Sequence, residues 1–133
     1  MFVFQKKWNM TENELSFLII GKAIEVHKIP GPGLLESMYQ SALAMELTEA
    51  GLFVKREVQI PVIYKGNSLG GNYRIDLLVE DQIIVETKCV SGFADIHSAQ
   101  LLTYLKLTNL HLGLLINFNV PALNTGIKRL VIG

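Results

Sequence analysis

Apolar residues recur at helical spacing through the first third of the chain, and strand-like alternation then takes over. Thr11-Glu12-Asn13-Glu14 has capping-box spacing, with Thr11 as the cap and Glu14 reaching back. A helix is predicted from there to about His27, with Leu15, Leu18, Ile19, Ala23 and Val26 as its apolar stripe. Phe17, Ile20 and Ile24 widen that stripe and predict burial on more than one side. Ile29-Pro30-Gly31-Pro32-Gly33 ends the helix. A second helix is predicted over about 34–50, with Gly51 just past its end. Tyr39, Leu43, Leu47 and Ala50 form its apolar face, and Glu36 lies on that face at the first turn.

From 54 to 64 the pattern alternates: Val54, Arg56, Val58, Ile60, Val62 and Tyr64 point one way, and the residues between them the other. This is a half-buried strand, and Pro61 makes its later part an edge or a bulge. Lys65-Gly66-Asn67-Ser68 reads as a turn, and strands over about 72–79 and 83–90 flank a turn at Glu80-Asp81-Gln82. A third helix is predicted over about 95–107, with Asp95 as its cap. Leu110 to Phe118 is a nearly continuous apolar run, the mark of a strand buried on both faces. Residues 127–132 add a short final strand after Gly126. Helix, helix, three strands, helix and strand make an α/β sandwich, and 133 residues make it a single domain. Residues 1–10 carry no clear period; they read as a loosely attached segment whose Phe2, Phe4 and Trp8 pack onto the domain or a partner, with Met10 a candidate alternative start.

Composition sharpens this picture. Half the residues are apolar and only 18% are charged, which excludes disorder and leaves apolar surface for a homodimer or a partner protein. Twelve basic residues balance twelve acidic ones, so there is no global basic field of the kind a dedicated nucleic-acid binder often carries. A bound metal ion would supply positive charge locally instead. The single cysteine, Cys89, excludes an internal disulfide and a cysteine-rich zinc site, and its apolar strand makes it a small buried hydrophobe. The first residues lack the pattern of a signal peptide and no apolar run reaches membrane-span length, so a cytoplasmic, membrane-free protein is expected.

Candidate chemistry concentrates in Arg74-Ile75-Asp76 and Glu86-Thr87-Lys88. Alternate strand residues share a face, so Glu86 and Lys88 point together. A three-residue loop at 80–82 sets Val79 opposite Ile83 and Asp76 opposite Glu86, with β-carbons about 5 Å apart. A two-residue loop would place the two acids on opposite faces. Facing carboxylates repel, and a divalent ion between them turns that cost into a site, with the Thr87 carbonyl a further candidate oxygen. Lys88 then stands ready to orient or deprotonate a water, or to steady charge on a phosphate. The competing reading is a solvated hairpin with scattered charges. Its flanks, Ile75, Leu77, Leu78, Val79, Ile83, Ile84 and Val85, instead embed the charges among apolar residues. Glu36 likewise has a plainer role open to it, as an acid answering the helix dipole.

Gly33-Leu34-Leu35-Glu36-Ser37-Met38-Tyr39 fits the pattern that names the GxxExxY proteins, which belong to the PD-(D/E)XK nuclease superfamily. The resemblance runs from about Thr11 to Leu130 and takes in Glu25 to Lys28, Gly31-Pro32-Gly33, Tyr73 to Glu80 and Ala99 to Leu105. It implies a restriction-endonuclease-like αβββαβ core with a mixed central sheet flanked by helices. It implies that Asp76 and Glu86 bind Mg²⁺ or Mn²⁺, that Lys88 is the catalytic lysine, and that Glu36 completes the metal or water shell. Gln100 and Tyr104 resemble the Gln-x-x-x-Tyr motif of the exonuclease branch; they share a helix face with His97, and the bland alternative for Tyr104 is a core tyrosine. His27 resembles a histidine that some relatives use on the metal, although a histidine at a helix end more often satisfies terminal carbonyls. Two departures stand out: Arg-Ile-Asp replaces Pro-Asp, and Ser91 stands where an acid is expected. The expected function is metal-dependent hydrolysis of nucleic acid, DNA first. The alternative is a weak or inactive nuclease-fold module that works through protein partners or nucleic-acid binding.

Overall fold

The computed structural model describes residues 10–133 except residue 72, so the expectations for Phe2, Phe4 and Trp8 lie outside the described residues. Helix α1 (Glu12–Lys28) starts with the capping box: Glu14 N–H donates to Thr11 Oγ1 at 3.1 Å, and Thr11 N–H donates to the Glu14 carboxylate at 2.9 Å. Leu15, Ile19, Ala23 and Val26 are buried and Ile20 and Ile24 pack partly against them, but Phe17 is 77% exposed. Phe17 sits two residues from both Leu15 and Ile19, about 200° around the helix, and so faces away from the core. Helix α2 (Glu36–Glu49) begins two residues later than expected, because Leu35 holds an extended backbone as the N-cap. It stops where Gly51 adopts φ 87° and its N–H donates to the Thr48 carbonyl.

The alternating stretch is not one strand. Strand β1 (Val54–Gln59) ends before Pro61, which has no N–H for a ladder, and the chain then folds on itself as the hairpin β2 (Ile63–Tyr64) and β3 (Asn67–Ser68). β1 pairs antiparallel with β4 (Arg74–Val79) through Arg56–Leu77 and Val58–Ile75, but the intervening Glu57–Asp76 pair is missing and Glu57 has φ 54°. The two strands change faces at this break. Val54, Leu77 and Val79 lie in one core, whereas Val58, Ile60 and Ile75 lie in the other, so the alternation expected from 54 to 64 reverses midway.

Strand β5 (Ile83–Lys88), helix α3 (Asp95–Thr108), strand β6 (Leu112–Asn117) and strand β7 (Ile127–Val131) complete the chain, giving a sheet of order β1-β4-β5-β6-β7. Only β5 and β6 run parallel, and α3 makes the crossover between them. α1 and α2 cover one face through Leu15, Ile19, Tyr39, Leu43 and Leu47; α3 covers the other through Leu101, Tyr104 and Leu105. β6 is buried along its whole length, as its apolar run predicts. Asp95 is the first residue of α3 and not its cap; the cap position falls on Ala94, whose N–H donates to His97 Nδ1 at 3.0 Å. The result is the expected αβββαβ core with a mixed sheet. No helix of the described residues is long and apolar enough to cross a membrane.

One glycine ties the end of β6 to the turn before β7. A Cβ on Gly126 would lie 2.3 Å from the Asn117 carbonyl oxygen and 3.0 Å from Val120 Cγ2. Backbone cannot yield as a flexible side chain does, so Gly126→Ala is expected to lower stability by about 1–3 kcal/mol, measured by urea denaturation.

Candidate metal-binding site

The turn between β4 and β5 has three residues, of which Glu80 and Asp81 hold φ 55° and 53°, and Val79 pairs with Ile83. Ladder pairing runs on to Leu77–Val85 and stops one step before Asp76 and Glu86. There the carboxylates take over the role of carbonyls. Asp76 N–H donates to Glu86 Oε2 at 2.8 Å, and Thr87 N–H donates to Asp76 Oδ2 at 2.9 Å, where the Thr87 hydroxyl also lies at 3.2 Å. Each acid is thus gripped by the opposite strand through one oxygen. The second oxygen of each carries no hydrogen bond among the described residues.

Burial makes these charges expensive. Glu86 is only 4% exposed, and burial first, then the Asp76 charge, pushes its pKa up to about 8. Asp76 is raised as well, chiefly by burial, with the Thr87 N–H and Lys88 pulling the other way. Without a metal the pair therefore resists carrying both charges. Two carboxylates with one free oxygen each fit a hard divalent ion that retains water and takes up substrate phosphate. Among the described residues no group of three His, Cys, Asp or Glu side chains could hold an ion unaided, so the donor set is not an all-protein cage.

Glu36 is brought alongside by the segment in front of α2. Gly33 turns the chain at φ 116°, and the fully buried Tyr39 stacks on Phe118 with ring centroids 4.4 Å apart. The Tyr39 hydroxyl donates to the Gly31 carbonyl and accepts the Leu34 N–H at 3.1 Å, which pins the loop. Glu36 then reaches across to accept the Cys89 N–H at 3.2 Å, just past the end of β5. Burial raises its pKa, opposed by Lys88 and reinforced by Asp76. Gly-x-x-Glu-x-x-Tyr is thus a turn, an acid and a lock. Tyr39→Phe would strand the Leu34 N–H and Gly31 carbonyl, and thermal denaturation should show a loss of about 1–3 kcal/mol.

The remaining candidates divide. Lys88 is half-buried at the end of β5 and lowers the pKa of Glu36, Asp76 and Glu86 alike, which places it electrostatically among all three acids. Tyr104 is buried in the α3 core, as its plainer reading held, yet its hydroxyl also feels the site: burial, then the Glu86 charge, raises its pKa. Gln100 has no hydrogen bond to the acids among the described residues; it lines a cavity of about 240 Å³ with Tyr73, Ile96, Thr103 and Tyr104. His97 accepts the N–H of the cap residue Ala94, rests edge-on to Phe93 at 6.1 Å, and lowers the Glu36 pKa. His27 is buried and donates through Nε2 to the Val120 carbonyl at 2.8 Å, so it tethers a distant loop and not the carbonyls at its own helix end. Cys89 is half-buried against the core, with its thiol 3.8 Å from the Leu34 carbonyl.

Three residues have supporting roles that the sequence did not assign to them. Thr87 holds Asp76, Tyr39 holds the Glu36 loop, and Asn117 fixes the chain beyond Lys88. Asn117 is 2% exposed; its Oδ1 accepts the Val90 N–H at 3.1 Å and its Nδ2 donates to the Val90 carbonyl at 2.9 Å. A lone amide closing an otherwise apolar strand was the signal that could have found it, because a buried amide needs partners. A cavity of about 500 Å³, lined by Val26, Ile29, Ala42 and Met45 among others, contains none of these acids, so the perturbed carboxylates mark the site better than volume does.

A three-layer αβββαβ fold with an acid facing Glu-x-Lys at a break in its central hairpin is restriction-endonuclease-like. The chain belongs to the PD-(D/E)XK nuclease superfamily, whose family model matches residues 13–130. Nucleases of this superfamily generally use divalent metals and bind nucleic acid. Comparisons with curated proteins and with solved structures gave no significant match.

Proposed function

We propose that the protein is a Mg²⁺- or Mn²⁺-dependent phosphodiesterase of the GxxExxY branch that hydrolyses nucleic acid, with DNA as the first expected substrate and the cytoplasm as its place of action. The observation that carries this reading is the Asp76–Glu86 pair, two facing carboxylates each held by one oxygen and costly to ionise without a cation. A divalent ion at the pair would polarise the scissile phosphate and lower the pKa of its bound water. Asp76 and Glu86 are the residues assigned to hold it, with the Thr87 carbonyl as a candidate third oxygen. Lys88 orients the attacking water and balances charge on the phosphate. Glu36, anchored on the Cys89 N–H, accepts a hydrogen bond from that water. Tyr104 and Gln100 are assigned to the nucleic-acid side of the site.

A second reading has its own support. Ser91 is exposed where an acid is expected, the net charge is zero, and among the described residues no three ligating side chains converge. These features suit a catalytically silent module that works through partner or nucleic-acid binding, as a homodimer or a subunit. Cleavage assays on single- and double-stranded DNA and RNA with Mg²⁺ or Mn²⁺ separate the two readings. The nuclease reading expects metal-dependent cleavage that Asp76→Ala removes. Absence of cleavage of all four substrates with either ion favours the module.

A further inference from the structure

The cavity of about 240 Å³ lined by Tyr104 has one wall that neither the metal pair nor the lysine uses. That wall is Tyr73, the residue before β4 and three residues ahead of Asp76. Its ring is a held surface. The Tyr73 carbonyl accepts the N–H of buried Ile60 at 2.9 Å, and the ring meets the Tyr104 ring edge-on, with centroids 6.2 Å apart. Tyr104 is buried, whereas Tyr73 is 45% exposed, so the pair consists of a fixed inner ring and an open outer one. Ile96, 68% exposed, supplies a second apolar wall, and Gln100 and Thr103 bring an amide and a hydroxyl to the same space.

An open aromatic face, an aliphatic wall and an amide within one small cavity suit a flat heteroaromatic ring that stacks on one side and hydrogen-bonds at its edge. Connection to the acids runs through Tyr104, whose hydroxyl is close enough to Glu86 and Asp76 for their charges to act on it. We propose that the Tyr73–Ile96–Gln100 cavity is a nucleobase subsite that takes an unpaired base next to the scissile phosphate, which would make the protein selective for single-stranded or frayed nucleic acid. Stacking on Tyr73 is tolerant of sequence because every base has a π-face, while Gln100 biases the choice through the base edge. A base inside a duplex cannot enter, because its faces are already covered by its neighbours. This inference rests on the nucleic-acid reading above, but it needs no cleavage.

The test uses the full chain with metal chelated and an oligonucleotide carrying 2-aminopurine, whose fluorescence falls on stacking. Wild-type protein is expected to quench the probe in a single strand and not in a paired duplex. Tyr73→Ala should lose the quench and weaken single-strand binding roughly 10- to 100-fold, while Tyr73→Phe, which keeps the ring, should retain both. Equal quenching by wild type and Tyr73→Ala, or equal affinity for single strand and duplex, would overturn the proposal. A protein that quenches the probe through Tyr73 yet cleaves nothing with either ion would sink the nuclease reading and leave the base subsite standing.

Discussion

Glu86→Gln is expected to lower cleavage by roughly 1,000-fold or more and, in the same protein without metal, to raise stability at alkaline pH. The two effects have one cause. Folding places Glu86 where its charge is poorly solvated and faces Asp76, so its pKa rises from an ordinary carboxylate value to about 8. Between about pH 4.5 and pH 8 the folded state holds a proton that the unfolded chain has released. This group's contribution to stability is therefore fully present below the lower value and is lost as pH rises through the upper one. Glutamine has nothing to ionise. Wild type and variant should melt alike near pH 5, draw apart as pH rises from there to about 8, and keep a constant gap above it, with the variant more stable by about 3–5 kcal/mol. Mg²⁺ or Mn²⁺ should close the gap by stabilising wild type alone, since a ligand that binds only the folded state shifts its unfolding. Thermal melts at pH 5, 7 and 9, with metal and with chelator, check every part.

The second large effect is expected at Lys88. Lys88→Ala should cut kcat by about 100- to 1,000-fold with little change in metal affinity, because the lysine faces the acids without supplying a ligand. Its removal also takes away the cation that eases the charge on Glu36, Asp76 and Glu86, so the pH at which activity appears should move upward. Lys88→Arg keeps the charge but not the compact ammonium and should recover only part of the rate. Single-turnover cleavage across pH, beside metal titrations of the same variants, distinguishes lost chemistry from lost binding.

These effects trace back to features of different legibility. The αβββαβ order could be read from periodicity because most elements obey one local rule each: a capping box for α1, a glycine stop for α2, an unbroken apolar run for β6. The three residues at 80–82 predict the register as far as Leu77–Val85, and beyond that Asp76 and Glu86 meet through their side chains. What stayed hidden was non-local. The reversal of faces at Glu57 and Asp76 comes from a left-handed backbone at a residue that rarely adopts one, and alternation alone ran straight through it. The grip of Thr87 on Asp76, the Asn117 clamp on Val90 and the reach of His27 to Val120 each join residues far apart in sequence or facing each other across a sheet. Tyr39 looked like one more apolar position because its ring is buried, and only its hydroxyl partners show why a phenylalanine would not serve.

Each carboxylate of the Asp76–Glu86 pair keeps one oxygen on the opposite strand and one free, and the pair resists full ionisation without a cation. Calorimetry tests that directly. Mn²⁺ titrated into wild-type protein at pH 7, in two buffers of different ionisation enthalpy, should show saturable binding with net proton release, because the ligating carboxylates must shed their proton. Asp76→Asn should abolish the signal while the protein still melts cooperatively. Metal binding of unchanged strength in Asp76→Asn, or no binding by the wild type, would contradict the account.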